Sequence, residues 1–331
     1  MEARFACVGA ALALSGSMAA PAAYAAAALD YPVRPVRMIV VFPPGSGTDI
    51  AARLMAQELS GQLGKQFVVD NRPGAGGMIG TEAAVNSNPD GHTLVMVSSS
   101  FTINPSVYAK VPYDAKKDLA PVTLIGATPY LFAAHPSVPA KTVSQLVALA
   151  KSKPGQLNYG AGGVGVGSHL AGELFKSTAN VDIVMVPYKG APQATADVMA
   201  GQVQLAFLTF PTGFPLVKSG KLTGLGVTSL KRVPVVPDIP TIAESGLPGF
   251  DVETWFGMLA PAGTSKDIVA RVYQELIVAL KKDQVRDKLT SQGYRVVANT
   301  PAEFERLIAN EIDKWAKVVK VARIPQIGGT K

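Results

Sequence analysis

Cysteine is nearly absent from this chain, and its absence restricts the chemistry that the chain can perform. The one cysteine among 331 residues is Cys7, in an apolar N-terminal stretch. Beyond that stretch the sequence excludes disulfides, a thiol nucleophile and cysteine-based metal sites. We therefore expect a fold stabilised by packing alone, with no cofactor and no metal ion.

Histidine is also scarce, with His92, His135 and His169 as the full set. No serine lies in a G-x-S-x-G motif, and no histidine pair has metal-ligand spacing. These absences argue against an enzyme. An exported hydrolase that uses Ser46, Ser168 or His169 is an alternative that no motif supports.

The basic residues do not form the kind of cluster that binds nucleic acid. The formal net charge is +7 and the sequence pI is about 9.3. Basic pairs such as Lys116-Lys117, Lys231-Arg232 and Lys281-Lys282 are scattered along the sequence, whereas nucleic-acid binders concentrate them on one element. We expect no nucleic-acid partner and only a mild preference for anions.

The N-terminal segment has the pattern of a secretory signal peptide. Arg4 precedes an apolar stretch from Phe5 to Leu14, and small residues lead to Ala23-Tyr24-Ala25. The stretch is shorter than the roughly 20 residues that a membrane-spanning helix needs. We predict cleavage near Ala25 and a periplasmic mature chain. A disordered tail or an uncleaved anchor is the alternative.

Residues 26–331 exceed the usual size of a single core, so we expect two domains. Short β-branched runs alternate with longer helical patterns, which predicts an α/β fold with parallel sheets. The predicted strands include Arg37–Phe42, Gln66–Val69, Thr93–Val97, Val122–Ile125, Tyr130–Ala134, Asp182–Pro187, Leu205–Leu208 and Leu222–Thr228, and a further strand starts the segment from Leu157 to Phe175. The predicted helices are Asp49–Leu63, Ser144–Lys151, Gly167–Ser177, Ala191–Ala200, Lys266–Lys281 and Pro301–Val319. A Thr-x-x-Glu capping box, Thr300 and Glu303, marks the start of the last helix.

Two glycine-rich turns each follow a predicted strand and open a helix: "FPPGSGTDIAARL" and "GAGGVGVGSHLAGELF". The second turn contains G-x-G-x-x-G, but no acidic residue follows at the expected distance and the phosphate-binding lysine motif is missing, which argues against a nucleotide. Glycine beside the free N–H groups of a helix N-terminus forms an anion site. We infer two such sites, Gly45–Thr48 and Gly163–Val166, on opposite walls of a cleft between two domains.

Six ordered blocks of the sequence resemble the Bug/TctC-type periplasmic receptors, the solute-binding components of tripartite tricarboxylate transporters. They include "YPVRPVRMIVVFPPGSGTDIAARLMAQEL", "LNYGAGGVGVGSHLAGELF" and "VPYKGAPQATADVMAGQVQLAF". The resemblance implies an α/β fold of the two-domain periplasmic-binding-protein (Venus flytrap) type, with crossing strands near Ile125–Tyr130 and Phe250–Phe256. Domain 1 would comprise residues 26–127 and 252–331, and domain 2 residues 128–251, with the ligand cleft between them.

The resemblance further implies a small carboxylate ligand, held largely by main-chain N–H groups and bridging waters, and no catalytic residue. His169 would be a framework residue of this site. Carried over by position, the ligand-binding candidates are Phe42, Gly45, Ser46, Gly47, Thr48, Asp49, Ala75, Gly76, Ser99, Phe101, Ala161, Gly163, Val164, Gly165, Val166, His169, Leu208 and Thr209.

Several candidates depart from the usual family pattern. Ser46 stands where glycine is common, Ala161 and Val166 where Ser or Thr is common, Phe101 where a small or polar residue is usual, and Leu208 where Asp is frequent. Because the strand that ends at Leu208 offers no acid to an ammonium group, we expect a dicarboxylate or aromatic carboxylate rather than an amino acid.

The expected partners are this ligand and the membrane subunits of a tripartite tricarboxylate transporter, with the receptor itself a monomer. The sequence leaves one alternative of the same fold open, a sensory receptor that signals to a two-component system.

Overall fold

Helices and strands alternate along most of the chain. The computed structural model describes residues 1, 30–321, 324 and 326–328, and the chain from Tyr31 onward forms one compact unit. The predicted signal peptide lies outside the described residues, apart from residue 1. The strands are β1 Val36–Val40, β2 Phe67–Asn71, β3 Thr93–Ser98, β4 Leu119–Ala134, β5 Asn158–Ala161, β6 Val184–Pro187, β7 Leu205–Thr209, β8 Thr223–Val227, β9 Glu253–Pro261 and β10 Arg295–Val296.

The helices begin mostly where a strand has just ended. They are α1 Gly47–Leu63, α2 Met78–Val85, α3 Ser100–Val107, α4 Val143–Ser152, α5 Gly167–Ala179, α6 Ala191–Met199, α7 Phe210–Lys218, α8 Lys266–Lys281, α9 Asp283–Thr290 and α10 Pro301–Val321, and a 3-10 turn covers Ala75–Gly77. No helix in the described part of the chain combines the length and apolar character that a membrane crossing needs.

Strand β4 takes part in two sheets. The strands lie side by side in the order β2-β1-β3-β9-β4-β7-β5-β6, and β8 and β10 also pair with β4. Up to Pro129, which pairs with Glu253, β4 is bonded to β9 in the first sheet. From Tyr130 onward it is bonded to β7 in the second sheet. We refer to residues 31–129 and 253–328 as the first half, and to residues 130–252 as the second half.

The predicted parallel sheets are in fact mixed. Strand β1 is parallel to β2 and β3, and β5 is parallel to β6 and β7, but β4 and β9 run antiparallel to their neighbours. Strands β4 and β9 carry the chain from one half to the other. This long-range connection sets their direction, so the local sequence of each strand does not predict it. The two strands predicted at Val122–Ile125 and Tyr130–Ala134 are one strand, because Gly126–Pro129 between them also pair with β9.

Local capping explains where α1 and α10 start. The Ser46 side chain accepts the Asp49 N–H at the start of α1, and α1 ends at Gly64, whose φ is +67°. At α10 the Thr300 N–H donates to Glu303 at 2.8 Å, and the Glu303 N–H donates to the Thr300 hydroxyl at 3.3 Å. The predicted capping box is therefore confirmed.

Each sheet packs its own apolar core. In the first half Met38, Met55 and Met258 are fully buried between the sheet and its helices. In the second half Phe132 stacks on Phe207 with ring centroids 4.2 Å apart. Burying a large apolar side chain contributes about 1.5–3 kcal/mol. These cores fix the carboxyl ends of the strands, and the turns that follow those ends meet at one place.

Candidate functional site

A cavity lies where the two glycine-rich turns meet. Its volume, counted as the space open to the centre of a water molecule, is about 50 Å³. One water needs about 10–15 Å³ on this measure, so the cavity has room for a few waters or a compact ligand. Both halves contribute to its walls, which are formed by Phe42, Ser46, Gly47, Thr48, Ser98, Tyr130, Gly162, Val166, Gly167, Ser168, Ala191, Phe207, Thr209, Thr254 and Phe256.

The wall from the first half is the N-terminus of α1. Ser46 Oγ accepts the Asp49 N–H at 3.3 Å, which leaves its hydroxyl proton free to donate. The N–H groups of Gly47 and Thr48 donate to no acceptor among the described residues. Unpaired N–H groups in the first turn, together with the helix dipole, attract an anion.

The wall from the second half repeats this arrangement at α5. Ser168 Oγ accepts the Gly162 N–H at 3.1 Å, so its hydroxyl proton is also free to donate. Val166 at the N-cap position makes no side-chain capping bond. The N–H groups of Gly167 and Ser168 have no acceptor within the described part of the chain. The two walls therefore present the same kind of hydrogen-bond donor.

Three further helices begin at the cavity. Ser98 lies just before α3, Ala191 is the first residue of α6, and Thr209 lies just before α7. Each helix N-terminus carries a partial positive charge. No lining residue carries a formal charge, so the positive potential comes from helix ends and not from lysine or arginine.

Hydroxyl groups from the two connecting strands form one side of the cavity. Tyr130 lies on β4 and Thr254 on β9, and the Thr254 hydroxyl lies 3.1 Å from that of Ser99. Burial raises the pKa of Tyr130 to about 12, although hydrogen bonds with Thr254 and Ser99 act in the opposite direction. The phenol therefore stays protonated at neutral pH and can donate a hydrogen bond.

Asp49, a predicted ligand-binding residue, lies outside the lining and supports the first turn from behind. Its carboxylate accepts the N–H of Gly45, Nδ2 of Asn71 and Nε of Arg53, each at 2.9 Å. Burial alone would raise the pKa of Asp49, but these hydrogen bonds outweigh burial and lower it. Gly45 has a φ of +78°, a conformation that glycine adopts without strain. The carboxylate therefore fixes the shape of the turn.

His169 is buried and bonded to the second glycine turn, and its role at the ligand stays a prediction. It is 7% exposed, and its Nδ1 lies 3.2 Å from the Gly165 nitrogen, so Nδ1 accepts that N–H. Burial lowers the pKa of His169, and Lys176 lowers it further while Glu173 raises it. The ring is therefore neutral at pH 7. Ser168 and His169 bond different parts of one glycine loop, Gly162 and Gly165.

Other predicted site residues lie beside the cavity, where the halves touch. A Cβ added at Gly76 would lie 3.3 Å from the Val164 carbonyl oxygen. Ala75 precedes Gly76 with a φ of +47°. Gly163 and Gly165 flank Val164 in the same loop. Of the candidates, the structure brings Phe42, Ser46, Gly47, Thr48, Val166 and Thr209 together in the lining.

Four candidates are buried in packing or support positions. Phe101 stacks on Tyr113 with ring centroids 5.2 Å apart. Ala161 is fully buried at the end of β5, and Leu208 is 1% exposed in the core of the second half. Ser99 contacts Thr254 behind the lining. Ligand contact by these residues stays a prediction.

Sequence reasoning missed several lining residues. Gly162 lies inside the glycine turn that was identified, and extending the site to the first residues of α5 would have included Gly167 and Ser168. Ala191 follows a glycine at a predicted helix start, which is the same signal. Ser98, Tyr130, Phe207, Thr254 and Phe256 lie on strands, and no local motif marks them.

The chain is similar to known solute receptors over most of its length. A family model described as "Tripartite tricarboxylate transporter family receptor", TctC, matches residues 51–324. A solved structure of Rhodopseudomonas palustris Rpa4515 with adipate is 34% identical, covers 90% of this chain and 100% of that one, and has a TM-score of 0.88. MatC from the same organism with bound malate is 33% identical, covers 87% and 100%, and has a TM-score of 0.83.

The periplasmic binding protein BugD is 32% identical, covers 90% of this chain and 100% of its own, and has a TM-score of 0.87. These similarities confirm the expected two-domain periplasmic-binding-protein fold and the resemblance to Bug/TctC receptors. The chain belongs to the TctC family, the tripartite tricarboxylate transporter family receptors.

Proposed function

We propose that this protein is a periplasmic receptor that closes around a small carboxylate and delivers it to the membrane subunits of a tripartite tricarboxylate transporter. One observation carries the proposal. The first turns of α1 and α5 meet at one cavity, and each presents unpaired N–H groups and a serine hydroxyl whose proton is free. A carboxylate has two oxygens and accepts such donors from both sides.

The same cavity disfavours an amino acid. An ammonium group that is removed from water needs a carboxylate or several good acceptors. No acidic side chain lines the cavity, and Asp49 is already bonded by Gly45, Asn71 and Arg53. The volume of about 50 Å³ suits a slim aliphatic chain better than an aromatic ring. We therefore favour an aliphatic dicarboxylate.

Delivery requires the receptor to open and close. We place domain 1 at residues 26–127 and 252–331 and domain 2 at 128–251, with β4 and β9 as the connection. A ligand that bonds both glycine turns favours the closed state, because a ligand shifts an equilibrium by its difference in affinity for the two states. Export through the predicted signal peptide, with cleavage near Ala25, would put the receptor where it meets its substrate.

A thermal-shift screen tests ligand binding. The purified protein is heated with adipate, malate, benzoate and lysine, each at several concentrations. A ligand at a hundred times its Kd stabilises the native state by about 2.7 kcal/mol. We expect adipate or malate to raise the melting temperature more than benzoate, and lysine to have no effect. A shift with lysine alone would contradict the proposal.

An uptake assay tests delivery. Cells that lack the receptor, and cells that lack the membrane subunits of the transporter, are compared for uptake of the radiolabelled ligand from the screen. We expect both deletions to abolish high-affinity uptake. Normal uptake without the receptor, together with loss of ligand-induced transcription, would identify a sensory receptor instead.

A further inference from the structure

Tyr108 connects the two halves beside the cavity. It follows α3 in the first half, and its hydroxyl donates to the Val164 carbonyl oxygen of the second half at 2.9 Å. Among the described residues, no other hydrogen bond joins the halves away from β4 and β9. The Tyr108 ring also lies against Gly165, where an added Cβ would come within 2.7 Å of Cε2. The bond therefore depends on how closely the halves approach.

The first half holds Tyr108 in place through its backbone. The Ile327 N–H donates to the Val107 carbonyl at 2.8 Å, and the Ala109 N–H donates to the Ile327 carbonyl at 3.0 Å. These two bonds form a parallel bridge between Tyr108 and Ile327. Val107 is fully buried. Tyr108 is therefore fixed on its own side, and its hydroxyl has a defined position.

The second half holds Val164 as part of the turn that lines the cavity. Gly165 has a φ of +75°, and its N–H is bonded by His169 at 3.2 Å. Val166, two residues after Val164, lines the cavity. The loop that would bond a carboxylate at the start of α5 is therefore the loop that contains Val164. Tyr108 itself is not in the lining, so this loop is its route to a ligand in the cavity.

We propose that Tyr108 is a positioning residue that sets how long the receptor retains its ligand. Its hydroxyl bonds Val164 only when the halves are closed, so the bond slows opening and leaves the encounter of ligand with the open receptor unchanged. This inference rests on the proposed function, because it assumes that the cavity between the glycine turns binds the carboxylate.

The matched variants are Tyr108→Phe and Tyr113→Phe. Each removes one partly or fully buried hydroxyl from the first half. The Tyr113 hydroxyl donates to the Phe101 carbonyl at 3.3 Å and accepts from Asn104 at 3.2 Å, and both partners lie in its own half. A purely structural effect of losing a phenol would therefore appear in both variants, whereas an effect on opening would appear only in Tyr108→Phe.

Stopped-flow kinetics with adipate and malate as probes separate binding from release. Loss of one hydrogen bond corresponds to about a two- to tenfold change. We expect Tyr108→Phe to raise the dissociation rate by that factor with the association rate within about twofold of wild type. Tyr113→Phe should leave both rates unchanged. An unchanged dissociation rate in Tyr108→Phe, or an equal change in both variants, would overturn the inference.

A second measurement needs no ligand. Spin labels at Glu82→Cys on α2 and Ser177→Cys on α5, both exposed, report the distance between the halves in a Cys7→Ser background. We expect the labelled Tyr108→Phe protein to have a smaller closed population than the labelled protein that retains Tyr108. Identical distance distributions would contradict the role of Tyr108. If neither adipate nor malate binds the wild-type protein but the distance distributions of the two labelled proteins differ, the proposed function fails. The role of the Tyr108–Val164 contact in closure then still stands.

Discussion

Tyr294 donates a hydrogen bond to the carbonyl oxygen of Gly47 at 2.7 Å, and so ties β10 and its loop to the first residue of α1. Tyr294 is 3% exposed, and burial, together with the nearby charge of Asp49, raises the pKa of its phenol. Two residues thus support the backbone of the turn that faces the cavity. The Asp49 carboxylate accepts the Gly45 N–H, and the Tyr294 hydroxyl donates to the Gly47 carbonyl.

Removing the Tyr294 hydroxyl should destabilise the folded protein. We expect Tyr294→Phe to lower the free energy of unfolding by about 1 kcal/mol, the usual contribution of one buried hydrogen bond. Urea denaturation monitored by circular dichroism measures this value. Tyr273→Phe is the control, because the Tyr273 hydroxyl makes no hydrogen bond among the described residues. Equal stability of the two variants would show that the bond to Gly47 contributes nothing.

The Gly47 N–H can be removed with little damage to α1. Proline is tolerated at the first helical position, and Ser46 has a φ of −72° and a ψ of 159°, which suits a residue before proline. We expect Gly47→Pro to bind adipate or malate at least about tenfold more weakly than Gly47→Ala, because a hydrogen bond to a charged group contributes about 1.5–3 kcal/mol.

Gly47→Ala is the control for bulk. Its Cβ would lie 3.2 Å from both Thr209 Oγ1 and Phe256 Cζ, so it crowds the cavity but keeps the N–H. Affinities come from titration calorimetry, with melting temperatures as a check on folding. Equal affinity of the proline and alanine variants would rule out a role for this N–H group.

Ser46 caps α1, and its hydroxyl can also donate to a bound carboxylate. A change of charge at this position separates the two roles. Asp and Asn both cap helices as well as Ser does, so Ser46→Asp and Ser46→Asn should unfold at nearly the same denaturant concentration as wild type. The aspartate would place a negative charge beside the bound carboxylate, and like charges disfavour each other. We expect Ser46→Asp to lose at least about tenfold more affinity than Ser46→Asn, since tenfold is about 1.4 kcal/mol. The opposite order of affinities would argue against an anionic ligand at this turn.

The buried His169 should make the protein sensitive to acid. Because burial lowers its pKa from the ordinary value of 6.5, the unfolded chain binds a proton more readily than the folded one. The stability is fully present above that ordinary value and is lost as pH falls through the lowered pKa of the folded state. The charged neighbours Glu173 and Lys176 shift this pKa in opposite directions.

Unfolding free energies between pH 7.5 and pH 5 test this dependence. We expect wild type to lose more stability over that range than His169→Gln, which cannot titrate. His135→Gln is the matched control, since His135 lies near the surface and bonds Ser137. If His169→Gln followed the wild-type profile, the titration of His169 would not contribute.

Local signals predicted both glycine turns and the starts of α5, α6, α8 and α10, and they placed the starts of α1 and α4 within two residues. They did not predict α2, α3, α7 and α9. Ser46 and Thr300 are capping residues with recognisable neighbours, and the geometry of such a cap depends on only a few adjacent residues. The same locality made the anion-site hypothesis accessible, because Gly45–Thr48 and Gly163–Val166 each lead from a strand into the first turn of a helix. Their placement on opposite walls of one cleft follows from the position of each turn at the carboxyl end of a strand.

The remaining lining could not be predicted in this way. Tyr130 and Thr254 are 124 positions apart in sequence, and antiparallel pairing of β4 with β9, which sets Thr254 opposite Thr128, brings them together. Phe256 is placed by the same pairing. Such contacts depend on long-range register, which an alternating pattern of apolar residues does not specify.

Phe101 and Leu208 illustrate the opposite difficulty. Both are candidate ligand-binding residues by position, and their departure from the family pattern favoured a carboxylate ligand over an amino acid. Phe101 stacks on Tyr113, and Leu208 packs in the core of the second half. A substitution in one sequence does not distinguish a changed ligand from changed packing, since both use apolar surface.

The most direct test of the central claim is a calorimetric titration of the wild-type protein with two matched pairs: malate with aspartate, and adipate with 2-aminoadipate. Within each pair the carbon chain and both carboxylates are the same, and the amino acid carries an ammonium group. The account predicts that at least one dicarboxylate binds at least about tenfold more tightly than its amino-acid partner, a difference of about 1.4 kcal/mol. Equal or tighter binding of the amino acids would contradict it.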